Sequence, residues 1–249
     1  MLTQYRLLLS CESPLPPRAE WAYRLYAVLL DLAPPGFGEL AHLDTRKPLR
    51  QHLRLRADGS LLWTVNLLGD VGEAALSGPL ERLKCIPLDA QTTLRVRDLR
   101  LRRVRDLEDL LALAQAEPSV HRLSFCTPTA FKSQKRYQTR PTARLVLQSL
   151  SRSWNACVPA PPLLEAEGQA LDELAAGLLL RDPRLRDRSY FLKGSTIPGC
   201  TGSILLENRL EGDRRLRTDA LLLFSEFSGV GIKTALGMGG VERRPAEKK

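Results

Sequence analysis

The hydrophobic and polar positions alternate between a period of two and a period of 3.6 residues along this chain. Residues 3–10 (TQYRLLLS) read as a short apolar strand, and Pro14, Pro16 and Pro17 then break the chain. Over residues 18–33, apolar side chains at 22, 25, 26, 29, 32 and 33 trace one face of a helix. A Pro/Gly-punctuated loop, 34–50, follows. HLRLR (52–56) and LLWTVNLL (61–68) face each other across Asp58-Gly59, a hairpin signature. Residues 71–84 are weakly helical. TTLRVRDLRLRRVR (92–105) alternates apolar with basic residues, with a slip near Asp98 that suits a bulge. The order is β-α-β-β-α-β, and DLEDLLALAQA (106–116) adds a helix.

The second half repeats this order. HRLSFCTP (121–128) reads as a strand, and ARLVLQSLSRSWNA (143–156) as a helix with 143, 147, 150 and 154 on one face. An extra helix is expected over 163–180. Strands are expected over 185–194 and 199–209 around a Gly/Pro-rich turn, a helix over 217–228, and a last strand over 236–244. No residue-level repeat accompanies this duplication. Each β-α-β-β-α-β unit makes a four-stranded antiparallel sheet with two helices on one face, which sets the class as α+β with two tandem domains. The boundary is placed near Pro118, giving domains 1–118 and 119–249.

Composition narrows the chemistry. The 249 residues carry 37 Lys+Arg against 28 Asp+Glu, net +9. With 43% hydrophobic residues the chain can bury a core. The basic balance, rich in arginine, is the electrostatic footprint of a nucleic-acid binder. Cys11, Cys85, Cys126, Cys157 and Cys200 are far apart, odd in number and without a C-x-x-C pair. That spacing argues against a zinc site or a disulfide framework and for a reducing, cytoplasmic setting. No signal peptide and no membrane-spanning apolar run are expected.

The strongest local signal is Phe227-Ser228-Gly229-Val230-Gly231-Ile232-Lys233-Thr234-Ala235-Leu236-Gly237-Met238-Gly239-Gly240. Such glycine density implies positive φ or close approach of backbone to something. A Walker loop needs Gly-Lys-Ser/Thr in direct sequence between a strand and a helix, whereas Ile232 intervenes here and the segment follows a helix. A dinucleotide fingerprint fails because Thr234 stands where a third glycine belongs. Two readings survive. One is a loop lying along a sugar–phosphate backbone, its free N–H groups forming an anion nest with Lys233 and Thr234 as added donors. The other is a crossover tucked against the sheet with no ligand.

This segment resembles the C-terminal glycine-rich loop of the CRISPR-repeat endoribonucleases. Thr127-Pro128-Thr129-Ala130-Phe131-Lys132 is similar to the family's motif at the first strand of the second domain. Leu150 through Trp154-Asn155 resembles its helix end, and Gly199-Cys200-Thr201-Gly202 its Gly-x-x-Gly hairpin. In the first domain, His42, Lys47-Pro48-Leu49 and Leu53 resemble its His…Lys-Pro-Phe…Leu stretch, with Leu49 where Phe is usual and Gln51-His52 where a Ser often sits. The resemblance implies two ferredoxin-like (RRM-like) domains side by side and single-site cleavage of CRISPR repeat RNA in the precursor transcript. The partners it implies are that RNA and, beyond it, other subunits of an effector complex; a homodimer stays open. It implies no membrane partner.

RNA cleavage without a metal or cofactor needs a base to take the 2′-OH proton, an acid to protonate the departing 5′-oxygen, and cations to hold the phosphate. His42, in the loop after the first helix, stands beside Asp44, Arg46 and Lys47. His52 opens the following strand and could complete a two-histidine pair. Lys47 is a candidate phosphate clamp with Arg46, and Tyr26 joins the candidates because the family sometimes uses a tyrosine from this helix. A solvated or hydrogen-bonded surface role is the competing reading for the histidines and Lys47, and a core-edge tyrosine with a wet hydroxyl for Tyr26. His121 is the weakest of the three histidines as a candidate. For RNA binding, residues 131–140 carry Lys132, Lys135, Arg136 and Arg140 without an acid, interleaved with Phe131 and Tyr137. Gly229, Gly231, Lys233, Thr234, Gly237 and Gly239 complete the candidate set. The arginines of 95–105 suggest a stripe for stem phosphates. The alternative function is a non-catalytic subunit that binds repeat RNA without cutting it.

Overall fold

The computed structural model describes residues 2–14, 16–39, 48–164 and 167–245. The first half contains β1 (Leu2–Glu12), α1 (Ala22–Leu32), β2 (Leu49–Leu55), β3 (Leu61–Leu68), α2 (Asp70–Arg82), β4 (Cys85–Asp89), β5 (Thr92–Val104) and α3 (Leu107–Ala116). Its sheet runs β2-β3-β1-β5-β4, antiparallel throughout. Apart from the edge strand β4, that is the ferredoxin-like order. Leu8 pairs with Asp98 and Leu9 with Val96, so Arg97 is the extra residue of a bulge where the alternation slips. The Asp58-Gly59 hairpin pairs Leu55 with Leu61, and Gly59 takes φ +79° to close it.

The second half contains β6 (Val120–Thr129), β7 (Phe131–Ser133), β8 (Arg136–Gln138), α4 (Ala143–Cys157), α5 (Gly168–Ala176), β9 (Leu178–Asp187), β10 (Tyr190–Leu192), β11 (Ser195–Ile197), β12 (Cys200–Asn208), α6 (Gly212–Ser228) and β13 (Val241–Pro245). Its main sheet runs β13-β6-β12-β9, again the ferredoxin-like order. The chain is thus an α+β protein with tandem ferredoxin-like units. β7–β8 and β10–β11 are small hairpins; because Thr129 pairs with Cys200, both rise from the same end of the β6/β12 pair.

Three sequence expectations need correction. The helix expected over 163–180 is shorter: after Gly177, Leu178-Leu179-Leu180 pair with Asn208, Glu207 and Leu206 and begin β9. A run of leucines fits a helix or a buried strand equally, and pairing with β12 decides it. β4 was not expected at all, since Pro87 demotes a strand reading; it is tolerated on a sheet edge. The strand expected over 185–194 divides between β9 and β10.

Two apolar cores lie under the sheets. One gathers Tyr5, Leu7, Leu9, Leu25, Trp63 and Leu76 of the first unit. The other gathers Phe125, Leu147, Leu150, Trp154, Phe224 and Phe227 of the second, and also takes in Leu2, Leu68 and Val104 from the first sheet and Leu110 and Ala114 of α3. The units are therefore not independent. α6 lies against the first sheet, where the backbone carbonyl of Glu226 accepts from the Gln4 and Asn66 amides at 3.0 and 3.3 Å, and its carboxylate meets Arg102 at 2.9 Å. From β13, the Glu242 carboxylate receives Arg6 and Arg54 of the first sheet at 3.0 and 2.9 Å. Inside the second unit, a buried polar chain runs from Glu117 through Arg243 to His121, then Asp219, which also accepts from Ser119 and Asn208. Burial works to raise the Asp219 pKa, but hydrogen bonds from His121, Asn208 and Ser119 outweigh it and hold it low.

Candidate nucleic-acid interface

A groove of about 620 Å³ opens where α4, β7, the first turn of the glycine-rich segment and the start of β2 meet. α4 supplies one wall because its periodicity splits it. Val146, Leu147, Leu150 and Trp154 face the core, which leaves Leu145, Gln148, Ser149, Arg152, Ser153, Asn155 and Ala156 on the groove side. The helix has no acidic residue. It is started by Thr142, whose hydroxyl accepts the Leu145 N–H at 3.2 Å. Lys132 and Arg50 bring the groove's basic side chains to three, against one acid along the described lining, Glu167.

The glycine-rich segment forms the facing wall, and most of its amides are taken by the protein itself. The N–H groups of Gly229, Val230, Ile232 and Gly239 donate to Ser225, Gly239, Ala130 and Pro128 carbonyls, Gly231 to the Ser149 hydroxyl, and Gly240 to the Thr127 hydroxyl. A Cβ on Gly231 would lie 2.2 Å from the Ala130 carbonyl, one on Gly239 2.3 Å from that of Val230, and one on Gly237 2.4 Å from the Tyr190 hydroxyl. The glycines are needed because this segment crosses its own protein at close range. An open anion nest does not form across these six amides, which corrects the expectation of free N–H groups. Lys233, at φ +58° and exposed, turns outward from the crossover.

One first-domain residue holds the crossover in place. Gln51 receives no water-exposed role: its N–H donates to the Thr234 carbonyl at 3.1 Å, and its side-chain amide donates to Ala235 and Ala22 carbonyls at 3.0 and 2.8 Å. Arg50, next to it and 8% exposed, donates to the Leu49 carbonyl, Ser153 and Cys157. β2 thus seats the glycine segment on one side and lines the groove on the other.

The structure brings together part of the sequence-derived set. Lys132, Gly229, Gly231 and Thr234 line the groove. Lys135, Arg136 and Tyr137 sit on the β7–β8 hairpin beside it, exposed, with Gln134 and Lys135 making its left-handed turn. Arg140 is engaged otherwise, in a two-pronged ion pair with Asp187 at 2.7 and 3.3 Å. His42, Arg46 and Lys47 lie outside the described residues. Tyr26 is buried; burial pushes its hydroxyl above the ordinary tyrosine range, with the Arg50 charge opposing. His52 is 5% exposed, with its ring against Gly240. Burial lowers its pKa to about 4, more than the nearby Glu242 carboxylate can offset. It is neutral at pH 7 and cannot serve there as a proton donor in the imidazolium form.

Two features differ from the sequence expectation. Most arginines of the 95–105 stretch are locally balanced: Arg95 pairs with Glu12, Arg100 with Asp98, Arg102 with Glu226, Arg103 with Glu73 and Glu81, and Arg105 with Asp109, while Arg97 donates to the Ser10 hydroxyl. Counting basic residues along one strand could not show acids on its neighbours. In the other direction, Gln148 and Ser149 lay outside the sequence-derived set, and Arg152 and Asn155 entered it only within the Leu150 to Asn155 resemblance. Their spacing on an acid-free helix was the available signal.

The arrangement defines a class: a tandem ferredoxin-like protein with a basic groove walled by a glycine-rich crossover and an acid-free helix. The comparisons refine it. A family model described as CRISPR-associated endoribonuclease Cas6 matches residues 123–241. The chain is 30% identical over 260 residues to a CRISPR-associated endoribonuclease Cas6 of Mycobacterium tuberculosis, covering 98% of this chain and 79% of that protein. It is 27% identical over 230 residues to one of Streptococcus thermophilus, covering 91% and 92%. Among solved structures, a Thermus thermophilus Cas6 is 26% identical with a TM-score of 0.71, covering 98% of each chain. A Cas6 product complex has a TM-score of 0.76 at 24% identity, covering 98% and 100%, and speaks for the fold. This chain belongs to the CRISPR-associated endoribonuclease Cas6 family.

Among the described residues no cluster of three or more His, Cys, Asp or Glu could hold a metal ion, and no helix is long and apolar enough to cross a membrane.

Proposed function

We propose that this chain is an endoribonuclease that cuts CRISPR repeat RNA within the precursor transcript, by 2′-OH attack and without a metal, to release guide RNAs. The observation that carries the reading is the basic groove at the seam of the two units, beside the strand β2 that the 40–47 segment enters at Pro48. In this reading domain 1–118 supplies the proton-transfer group and domain 119–249 cradles the RNA. His42 acts as general base or acid, a role worth ~10²–10⁴-fold. Lys47 and Arg46 hold the phosphate as charge builds up, and the upstream product ends in a 2′,3′-cyclic phosphate. His52 supports the site by packing under Gly240 rather than by moving a proton, because its ring is buried and neutral. Tyr26 packs in the first core, with a buried hydroxyl that has no hydrogen-bond partner among the described residues.

Lys132, Lys135, Arg136 and Lys233 are the RNA-holding cations, with Tyr137 as a stacking surface. Arg140 instead braces the hairpin through Asp187. The proposal extends to the cytoplasm as the site of action and to effector subunits that take up the cut RNA; it does not require a homodimer.

Cleavage of a labelled repeat RNA in EDTA tests the reading, with three comparisons: wild type, His42→Ala, and a substrate carrying a 2′-deoxy nucleotide at the cut site. Cutting by wild type alone on the all-ribose substrate is the expected result. Binding without any cutting by wild type would replace the reading with that of a non-catalytic repeat-binding subunit.

A further inference from the structure

The groove beside α4 has more structure than phosphate binding requires. Its floor is apolar, made by Phe131, Leu145 and Ile232, while Gln148 and Asn155 stand along one helix wall. Neither amide has a hydrogen-bond partner among the described residues, although the neighbouring Ser149 and Ser153 are both used, by Gly231 and Arg50. Lys132 and Arg152 sit at the rim, exposed and without an ion pair among the described residues. An apolar floor accepts the face of a planar ring. Side-chain amides offer a donor and an acceptor together, which matches the edge of a base. Flanking cations hold the phosphates on either side. The volume, about 620 Å³, is in the range of small-molecule sites.

We propose that this groove is a reading pocket for one unpaired base of the RNA, with Gln148 and Asn155 on its edge, Phe131, Leu145 and Ile232 against its face, and Lys132 and Arg152 on the adjoining phosphates. The proposal rests on the chain being an RNA endonuclease and adds a specificity determinant to it. Sequence-selective RNA recognition favours unpaired bases because their edges and faces are both accessible. The geometry also accounts for the crossover: Ser149 fixes Gly231 at 2.8 Å, so the two walls keep a set separation.

The test is a repeat RNA in which each unpaired position is replaced in turn by an abasic nucleotide, bound and cut by wild type and by the Gln148→Ala/Asn155→Ala double variant. Both positions lie off the core, so thermal melting should match wild type. One abasic position should weaken wild-type binding at least tenfold, while the double variant binds intact and abasic RNA alike. If no unpaired position matters to wild type, or the double variant keeps the full abasic penalty, the pocket is overturned while endonuclease activity stands. If wild type fails to cut the intact repeat, the functional reading fails first, and the abasic binding series still decides the pocket.

Discussion

Gln51 accepts the indole N–H of Trp63 at 3.0 Å with its side-chain oxygen, and with its amide nitrogen ties Ala22 of the first helix to Ala235 of the glycine-rich crossover. A single 1%-exposed amide therefore connects the centre of the first core to the wall of the groove. Replacing Gln51 by Leu keeps the bulk and removes all three bonds. It removes a partner from a buried indole N–H and from the Ala235 carbonyl, while the Ala22 carbonyl keeps its helical bond, at a net cost of ~2–4 kcal/mol. For a chain of this size that corresponds to a Tm lower by roughly 4–16 °C. RNA affinity should fall as well, because Ala235 loses its anchor, while the bond from the backbone N–H of residue 51 to the Thr234 carbonyl remains. An unchanged melting curve would show that Gln51 is not the tie described.

Glycines in this chain divide sharply by what surrounds them. Gly231, at φ +90°, would place a Cβ 2.2 Å from the Ala130 carbonyl, whereas Gly59, at φ +79°, has open space. Gly59→Ala pays only for the left-handed backbone, ~1–2 kcal/mol. Gly231→Ala must also push the crossover off the Ala130 carbonyl, so it should displace the groove wall and cut RNA affinity at least tenfold. Parallel binding titrations of the two variants check this; equal behaviour would mean that the crossover is free to shift.

The same contrast marks what the sequence could convey. The tandem β-α-β-β-α-β order, the Asp58-Gly59 turn and the bulge at Arg97 are local patterns, and each is where its residues indicate. The strand Leu178–Asp187 was obscured because three leucines carry no period, and β12 supplies the missing decision. Glycine density announced a close approach without saying to what, and the answer, Ala130, Val230 and Tyr190, is tertiary. The charge of Arg95–Arg105 looked available because its partners Glu12, Glu73 and Glu226 lie far away in sequence. For the same reason the stretch from Leu150 to Asn155 carried a resemblance but no stated role until α4 was seen beside the crossover.

His52 couples stability to pH. Its folded pKa, about 4, lies below the ordinary value of 6.5, so the unfolded chain binds the proton more readily. Stability contributed by the neutral, buried ring is complete above pH 6.5 and is lost as pH falls toward 4, by about 3 kcal/mol. Glu242 pulls against this depression, and Arg54 and Arg6 add to it. Denaturant unfolding between pH 7.5 and 4.5 should show a decline that flattens in His52→Gln. The same decline in the variant would assign it to other groups; Asp219, whose pKa is held below the ordinary value of 3.8, loses its stabilising contribution only below this pH window.

The balance of ion pairs leads to a sharper expectation for RNA binding than net charge does. Each phosphate neutralised on a single strand contributes about −0.7 to the slope of log K against log salt concentration. Lys132 and Arg152 have no acidic partner among the described residues, while Arg140 is held by Asp187 and Arg95 by Glu12. The Lys132→Ala/Arg152→Ala variant should therefore flatten the slope by about 1.4, two phosphates' worth. Arg95→Ala, with the same kind of charge removed from a side chain already paired with Glu12, should leave the slope within about 0.3 of wild type, less than half of one phosphate's share. Titrations at several salt concentrations separate the two cases. A loss of slope in Arg95→Ala equal to that of a groove cation would mean that the β5 stripe carries RNA after all, and that the Glu12 carboxylate yields its arginine when phosphate arrives.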